Sequence, residues 1–335
     1  MRINAWAARK PGAELERFSY EKEVGRLDVL IATKYCSLTR GDLGFIDNFW
    51  GDSKYPLVPG CETFGVIEKT GIMVEDLRVG DYVGVGYQVF SCFQCEYCKI
   101  GKEQFCQKQK VIGVNEYGGL ANHIIVDSHF VFKIPPKLRK LDYVPLLCSG
   151  LTVFSAIKKV NPKVGMKVGV VGVGNLGHLA VQMLDKMGCQ VTAFSHSKEK
   201  EATLKKLGAR YFVNSIDKEE LEREARKYDL IFSTSTAPLD WPVYLKALKP
   251  QGNLCIIGLP AEEISFPAVL LADYAQRGIL GSYIGSRAEM RELLDFAARH
   301  NIKAIVQAFP GEETNNVVSK MRNQEIPFSA VIKLK

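Results

Sequence analysis

Four cysteines, Cys92, Cys95, Cys98 and Cys106, stand in "CFQCEYCKIGKEQFC" with the spacing C-x2-C-x2-C-x7-C. Short spacings let neighbouring backbone turns aim several sulfurs at one point, and four thiolates suit a tetrahedral zinc ion. A site whose four positions are all filled by protein is closed, so its zinc is structural rather than catalytic. An iron–sulfur cluster is the alternative for four cysteines. A second candidate lies in "YPLVPGCETFG", where Cys61 and Glu62 stand side by side on a turn. Cys61 is either a metal ligand with Glu62 as neighbour or a small buried residue, as free cysteines often are.

A third pattern is "GVGNLG", Gly172 to Gly177, which fits G-x-G-x-x-G. It follows the apolar run "MKVGVVGVG" and opens the helical pattern "LGHLAVQMLDKMG", the context in which this motif holds a dinucleotide. Gly172 permits the tight turn, Gly174 lets the backbone approach a pyrophosphate, and Gly177 lets helix and strand pack closely. Asn175 and Leu176 complete the loop, and the helix N-terminus offers N–H groups to the phosphates. An acid about 20 residues further on would bind the ribose 2′-hydroxyl. Here "FSHSKEK" places Ser195 at that position, followed by His196, Ser197, Lys198 and Lys200. Hydroxyls and cations suit a 2′-phosphate, so the expected cofactor is NADP(H). The alternative is a solvated helix start with Ser197 as N-cap and the lysines in water. Thr234 in "STSTA" stands at a later strand end, where it would line the same crevice.

The elements that must position these residues follow two grammars. Up to about Gly150, short apolar runs such as "DVLIAT", "FGVIEK", "DYVGVG" and "NHIIVD" alternate with turns, which is β-rich. Beyond Thr152, strands such as "QVTAFS", "YDLIFSTS" and "NLCIIGLP" alternate with helices such as "EKEATLKKLG", which indicates a doubly wound parallel sheet. The fold class is α/β with two domains, as 335 residues also suggest. From about Tyr283 the tail carries "AEMRELLDFAARH" and ends in "FSAVIKLK". A hydrophobic content of 47% and a dispersed net charge of +7 argue against a nucleic-acid partner. No run reaches the roughly 18 apolar residues of a membrane span, and "MRINAWAARKPG" lacks a signal peptide's apolar stretch. The expected location is cytoplasmic, where nine cysteines point to metal or catalysis before disulfides.

Together, "YPLVPGCETFGVI", "VGDYVGVG", the four-cysteine loop, "YGGLANHIIVD", "PLLCSGLTVFSAI", "GVVGVGNLGHLAV" and "GSYIGSRAEM" resemble the zinc-containing medium-chain alcohol dehydrogenases, nearest their cinnamyl-alcohol-dehydrogenase-like branch. The resemblance covers nearly the whole chain. It implies a GroES-like catalytic domain over 1–149 and 283–335 and a Rossmann NADP-binding domain over 150–282. It implies hydride transfer between NADP(H) and a small-molecule alcohol/aldehyde pair, in a homodimer or homotetramer. It also implies that Arg40 contacts the pyrophosphate, as in some members, and that Thr152 lies near the nicotinamide. Thr152 otherwise reads as a first-turn helix residue.

At the family's catalytic zinc the match is irregular. The first Cys ligand falls on Thr39, the His ligand on Cys61, the Glu is kept as Glu62, and the last Cys is kept as Cys148. The relay hydroxyl falls on Gly41, and a histidine often found a few residues on falls on Gly44. Asp42, the usual support of the ligand His, remains without it. Two readings stay open. In one, Cys61, Glu62 and Cys148 bind zinc, with Thr39, Cys36 or water completing the shell. In the other the catalytic zinc is lost, and hydride goes to an activated C=C or iminium, as in zinc-free relatives. The joint loss of ligand Cys, ligand His and relay hydroxyl favours a lost or weak metal site. A non-catalytic NADPH-binding regulatory protein is a further alternative. Ser329 stands where relatives often carry a phosphate-binding arginine. Phe49, Trp50 and Gln88 are candidates for the substrate pocket, with core packing as the alternative for the aromatics. Cys189 and Cys255 read as packing residues.

Overall fold

The computed structural model describes residues 1–260, 263–272 and 274–334. The chain forms two compact units, Met1–Leu151 with Gly285–Lys335, and Thr152–Ile284.

The first unit is built on a seven-stranded sheet around the long strand Asp28–Leu38. Glu62–Thr70 and His123–Asp127 run antiparallel to this strand, with Ser37 opposite Glu62 and Ala32 opposite His123. The run "DVLIAT" thus continues to Leu38, through two register irregularities against Glu62–Thr70. Tyr82–Val85 and Val131–Lys133 extend the sheet on one side. On the other side lies the last strand, Ser329–Lys333, with Ala330 opposite Leu38. The strand Val306–Pro310 adds in parallel beyond it. The tail therefore adds two strands to the sheet built on Asp28–Leu38. The hairpin Arg2–Ala7 with Glu16–Glu21 and the helix Thr314–Arg322 add elements that the sequence patterns did not single out.

The second unit is a six-stranded parallel sheet. Its spatial order is Ala209–Asn214, Gln190–Ser195, Lys167–Val171, Tyr228–Ser233, Leu248–Ile256, Gly278–Gly281. Numbered along the chain this is 3-2-1-4-5-6, and the order reverses beside Lys167–Val171, where such sheets bind ligands. The strands Lys167–Val171, Gln190–Ser195 and Tyr228–Ser233 are buried on both faces, which is why they read as continuous apolar runs rather than alternating ones. The helix Gly177–Lys186 stops before Gly188, whose φ of 85° suits glycine. The helix Trp241–Ala247 runs straight into strand Leu248–Ile256, so this strand begins earlier than "NLCIIGLP" suggests. Pro250 lies inside it, where the register against Tyr228–Ser233 shifts. No helix among the described residues is long and apolar enough to cross a membrane.

Candidate functional site

The four-cysteine lobe lies in the first unit, around the short helix Glu96–Lys99 and the turn Glu103–Phe105. The ligand atoms of Cys92, Cys95, Cys98 and Cys106 all lie within 4.8 Å of one another. Sγ of Cys92 and Cys98 are 4.0 Å apart, near the ~3.8 Å that tetrahedral Zn–S bonds impose. Backbone N–H groups already point at the sulfurs: Cys95 N donates to Cys92 Sγ and Cys92 N to Cys106 Sγ, each at 3.4 Å. The N–H groups of Gln94 and Cys95 hold the Cys92 thiol down at about 6, which favours the thiolate a metal needs. Donor chemistry and convergence fit a structural zinc. Arg287 braces the lobe. Its Nε lies 2.7 Å from buried Glu103, and its guanidinium covers the Phe93 ring at 4.8 Å. Gln88 donates to the Glu103 carbonyl at 2.7 Å, so it supports this lobe.

The residues at the family's catalytic metal positions are organised differently. Thr39 is the N-cap of the helix Arg40–Ile46, and Asp42 closes a reciprocal capping box with it. Asp42 is buried and accepts four hydrogen bonds. Its Oδ2 takes Thr39 N and Thr39 Oγ1, both at 2.8 Å, and the Cys61 thiol at 3.3 Å. Its Oδ1 takes Gly60 N at 2.7 Å. Thr39 Oγ1 also lies 3.5 Å from Cys61 Sγ. The neighbouring Cys148 side chain, then burial and the Asp42 charge, push the Cys61 pKa well up. Glu62 Oε1 accepts from Ser149 N at 2.6 Å, whereas Oε2 is buried without a hydrogen bond. Burial raises the Glu62 carboxyl to about 8, against the pull of the hydrogen bond from Ser149 N.

Thr39, Asp42 and Cys61 are thus brought together, but as a satisfied network of donors and acceptors, and Cys148 packs against the cluster that contains Cys61. Among the described residues the four-cysteine lobe alone gathers three or more His, Cys, Asp or Glu ligand atoms closely enough for a metal ion. Cys36 does not complete a shell. It belongs to a different buried cluster from Cys61, and its thiol packs where a Cβ on Gly60 would stand. Thr39 offers a neutral hydroxyl already bonded to Asp42, and the Cys61 thiol is bonded to the same carboxylate, so this set does not fit a catalytic zinc. His123 is engaged with Glu68 at 2.9 Å. Arg40 opens its helix and is exposed. The Trp50 ring lies against Gly44, where a Cβ would meet it at 2.5 Å. Phe49 and Trp50 are 53% and 41% exposed, so the core reading does not hold for them.

In the second unit the glycine loop has three distinct geometries. Gly172 has φ 81°, the left-handed region, and a Cβ there would meet Ser235 Cβ at 2.8 Å. Above Gly174 nothing lies within 4 Å, and a Cβ on Gly177 would stand 2.5 Å from the Gly172 carbonyl oxygen. Thr234 ties the loop down, its N–H bonding Val171 O at 2.8 Å and its hydroxyl donating to Gly172 O. No side chain caps the helix Gly177–Lys186 after Asn175 and Leu176, which leaves its N-terminal dipole free for an anion. His178, which the motif does not include, is fully buried. Its Nδ1 lies 2.9 Å from Gly174 O, and burial holds it neutral with a pKa of about 4. Its signal in the sequence was only its place four residues after Gly174.

Ser195 ends its strand, and its hydroxyl accepts from Ser197 N at 3.2 Å. Ser197 heads the turn Lys198–Lys200 but makes no side-chain cap bond, so the N-cap expectation is not met. Lys200 is not simply in water. Its Nζ reaches back to Val173 O at 3.4 Å, and burial lowers its pKa. His196 is exposed. Thr152 lies half-buried in the first turn of the helix Ser149–Val160. Ser329 is buried, so no cation stands there, and Cys189 and Cys255 are buried packing residues. The open face over Gly174, the uncapped helix and the Ser195–Lys200 pair fit a dinucleotide with a 2′-phosphate.

Residues 25–136 match the alcohol dehydrogenase GroES-like domain, and residues 175–299 match the zinc-binding dehydrogenase domain. Over 334 residues the chain is 35% identical to an aldehyde reductase, AdhA, of Synechocystis sp., covering 98% of both proteins. The chain belongs to the zinc-type medium-chain alcohol dehydrogenase family. This medium-chain dehydrogenase is an oxidoreductase, and its fold matches solved cinnamyl alcohol dehydrogenases. That of Sorghum bicolor is 32% identical with a TM-score of 0.94, covering 99% of this chain and 98% of the other. That of Helicobacter pylori, in complex with NADP(H), is 30% identical with a TM-score of 0.92 and the same coverage.

Proposed function

We propose that this medium-chain dehydrogenase transfers hydride between NADP(H) and a small alcohol or aldehyde, with one zinc ion, held by Cys92, Cys95, Cys98 and Cys106. The observation that carries the cofactor reading is the glycine loop at the sheet's reversal point, followed by Ser195 and Lys200 where an acid would select NAD. When bound, the nicotinamide supplies or accepts the hydride. The chain's own residues bind and orient it. The loop from Gly172 to Gly177 cradles the pyrophosphate, Lys200 and Ser195 face the 2′-phosphate, and Thr234 and His178 hold the loop's shape. Arg40 and Thr152 are further cofactor contacts in this reading. Cytoplasmic residence and a homodimer or homotetramer belong to it as well, and nine cysteines, four of them assigned to the zinc, suit a reducing compartment.

The test is Ser195→Asp, which places a carboxylate where the 2′-phosphate would sit. The ratio of kcat/KM for NADPH over NADH should fall about 100-fold, or ~2.7 kcal/mol. Wild-type preference for NADH would overturn the cofactor reading.

A second reading is favoured by the hydrogen-bonded Thr39–Asp42–Cys61 network. Without a metal to polarise a carbonyl, the hydride goes to an activated C=C or iminium. NADPH oxidation across aldehydes, enals and enones separates the two. Turnover of simple aldehydes supports the first, and saturation of C=C alone supports the second. Tight NADPH binding with no turnover on the panel would support the non-catalytic regulatory alternative.

A further inference from the structure

Each of the four backbone carbonyls from Val171 to Gly174 accepts a hydrogen bond within the second unit. Val171 O takes Thr234 N at 2.8 Å, and Gly172 O takes Gly174 N at 3.0 Å and the Thr234 hydroxyl. Val173 O takes Lys200 Nζ at 3.4 Å. Gly174 O takes two donors, the His178 backbone N–H at 3.1 Å and the His178 ring at 2.9 Å. A carbonyl only accepts, so the ring carries its proton on Nδ1. A Cβ on Gly174 would meet nothing within 4 Å, so this residue is open to a ligand. Its backbone is also unrestrained by a side chain, so its carbonyl keeps one direction only if something holds it.

Packing alone does not ask for a histidine at position 178. The side chain is fully buried, and its neighbours Leu179, Ala180, Val181 and Met183 are buried apolar residues. An apolar side chain would fill such a place without the cost of burying an imidazole. What histidine adds is the Nδ1–H donor. Gln182, one turn on and also buried, repeats the arrangement, its Nε2 donating to His178 O at 3.1 Å. The two side chains form a buried polar row that ends on Gly174 O.

We infer that His178 is a positioning residue for the cofactor: its Nδ1–H holds the Gly174 carbonyl away from the pyrophosphate and so sets affinity for NADPH and NADH alike. A carbonyl oxygen turned towards a phosphate would set two negative partial charges against each other. Fixing its direction before the ligand arrives also removes an ordering cost from binding. The pyrophosphate is common to both cofactors, whereas Ser195 meets only the part in which they differ. His178 therefore acts on affinity, and Ser195 on the choice between the two.

The inference rests on the reading that this loop binds NADP(H), so dissociation constants for NADPH and NADH are measured first on the wild-type full chain by calorimetry. His178→Leu removes the donor, and His178→Asn keeps an N–H at the same reach from the backbone. His178→Leu should weaken both cofactors about 10-fold with their ratio unchanged, and His178→Asn should stay within about twofold of wild type. Nitrogen NMR of the wild-type protein, isotope-labelled at histidine, decides the question even where a variant misfolds. One histidine should show a solvent-protected Nδ1–H, and it should stay neutral from about pH 6 to 8, because burial pushes its pKa down to about 4. His129, whose Nδ1 faces Asp127, has a side chain 41% exposed and so lacks that protection. Unchanged binding in His178→Leu, a loss confined to NADPH, no rescue in a folded His178→Asn, or no protected Nδ1–H would overturn the inference alone. Wild-type protein that binds neither cofactor would overturn the dinucleotide reading beneath it, and the inference with it.

Discussion

Two cysteine-bearing sites in the same unit treat their sulfurs in opposite ways. In the lobe around Cys92, Cys95, Cys98 and Cys106, four ligand atoms converge within 4.8 Å and the nearby donors are backbone N–H groups aimed at sulfur. Such a cage is unfavourable without a cation, because several thiolates would repel one another, so metal binding contributes directly to folding. Around Cys61 the polar groups of Thr39, Asp42 and Cys61 bond to each other instead. Asp42 accepts from Thr39, Gly60 and Cys61. A metal entering there would have to displace hydrogen bonds already made. Thiol content alone therefore does not make a metal site; the prior engagement of the thiols matters as much.

The strongest way to break this contrast is at the lobe. Cys95→Ser should drop zinc from about one ion per chain towards none and cause the largest stability loss of any change here, read by metal analysis and urea unfolding. Retained zinc would mean the lobe is not the metal site. Next is Asp42→Asn, which replaces the acceptor of four hydrogen bonds by a group with one acceptor oxygen. It should cost about 3 kcal/mol in urea unfolding while zinc stays bound.

A pH series sharpens the second site further. The Glu62 carboxyl sits at about 8 in the fold against 4.5 when unfolded. Between these values the folded state holds a proton that the unfolded state has released, so stability should fall as pH rises from 4.5 to 8 and level off above. Glu62→Gln should flatten that slope, and an unchanged slope would show that Glu62 is not its source. The smallest effect expected is on metal content in Cys61→Ser, where zinc per chain should not change.

Legibility in the sequence followed separation along the chain. The lobe's cysteines and the glycine loop were readable because a few bond lengths of backbone fix where their atoms point. The parallel sheet was readable from buried apolar runs alternating with helical spacing. By contrast, the role of Asp42 depends on Gly60 and Cys61, which the strand pairing of Ser37 with Glu62 brings to it. The brace between Arg287 and Glu103 joins residues 184 apart, and neither residue type announces a partner. Ser149 contributes through a backbone N–H, for which a side-chain pattern carries no signal.

The sequence by itself determined the two domain types, the closed four-thiol cage, the glycine loop without an acid after it, and the absence of histidine at the family's metal position. Each of these depends on residue identity and short-range geometry. Only the tertiary structure decided that Thr39, Asp42 and Cys61 form one hydrogen-bonded network rather than a ligand shell. It alone showed that Glu62 turns to Ser149 and that Lys200 reaches back to the loop. Those outcomes depend on which donors and acceptors folding buries together, and buried polar groups pair with whatever partner the fold brings within reach.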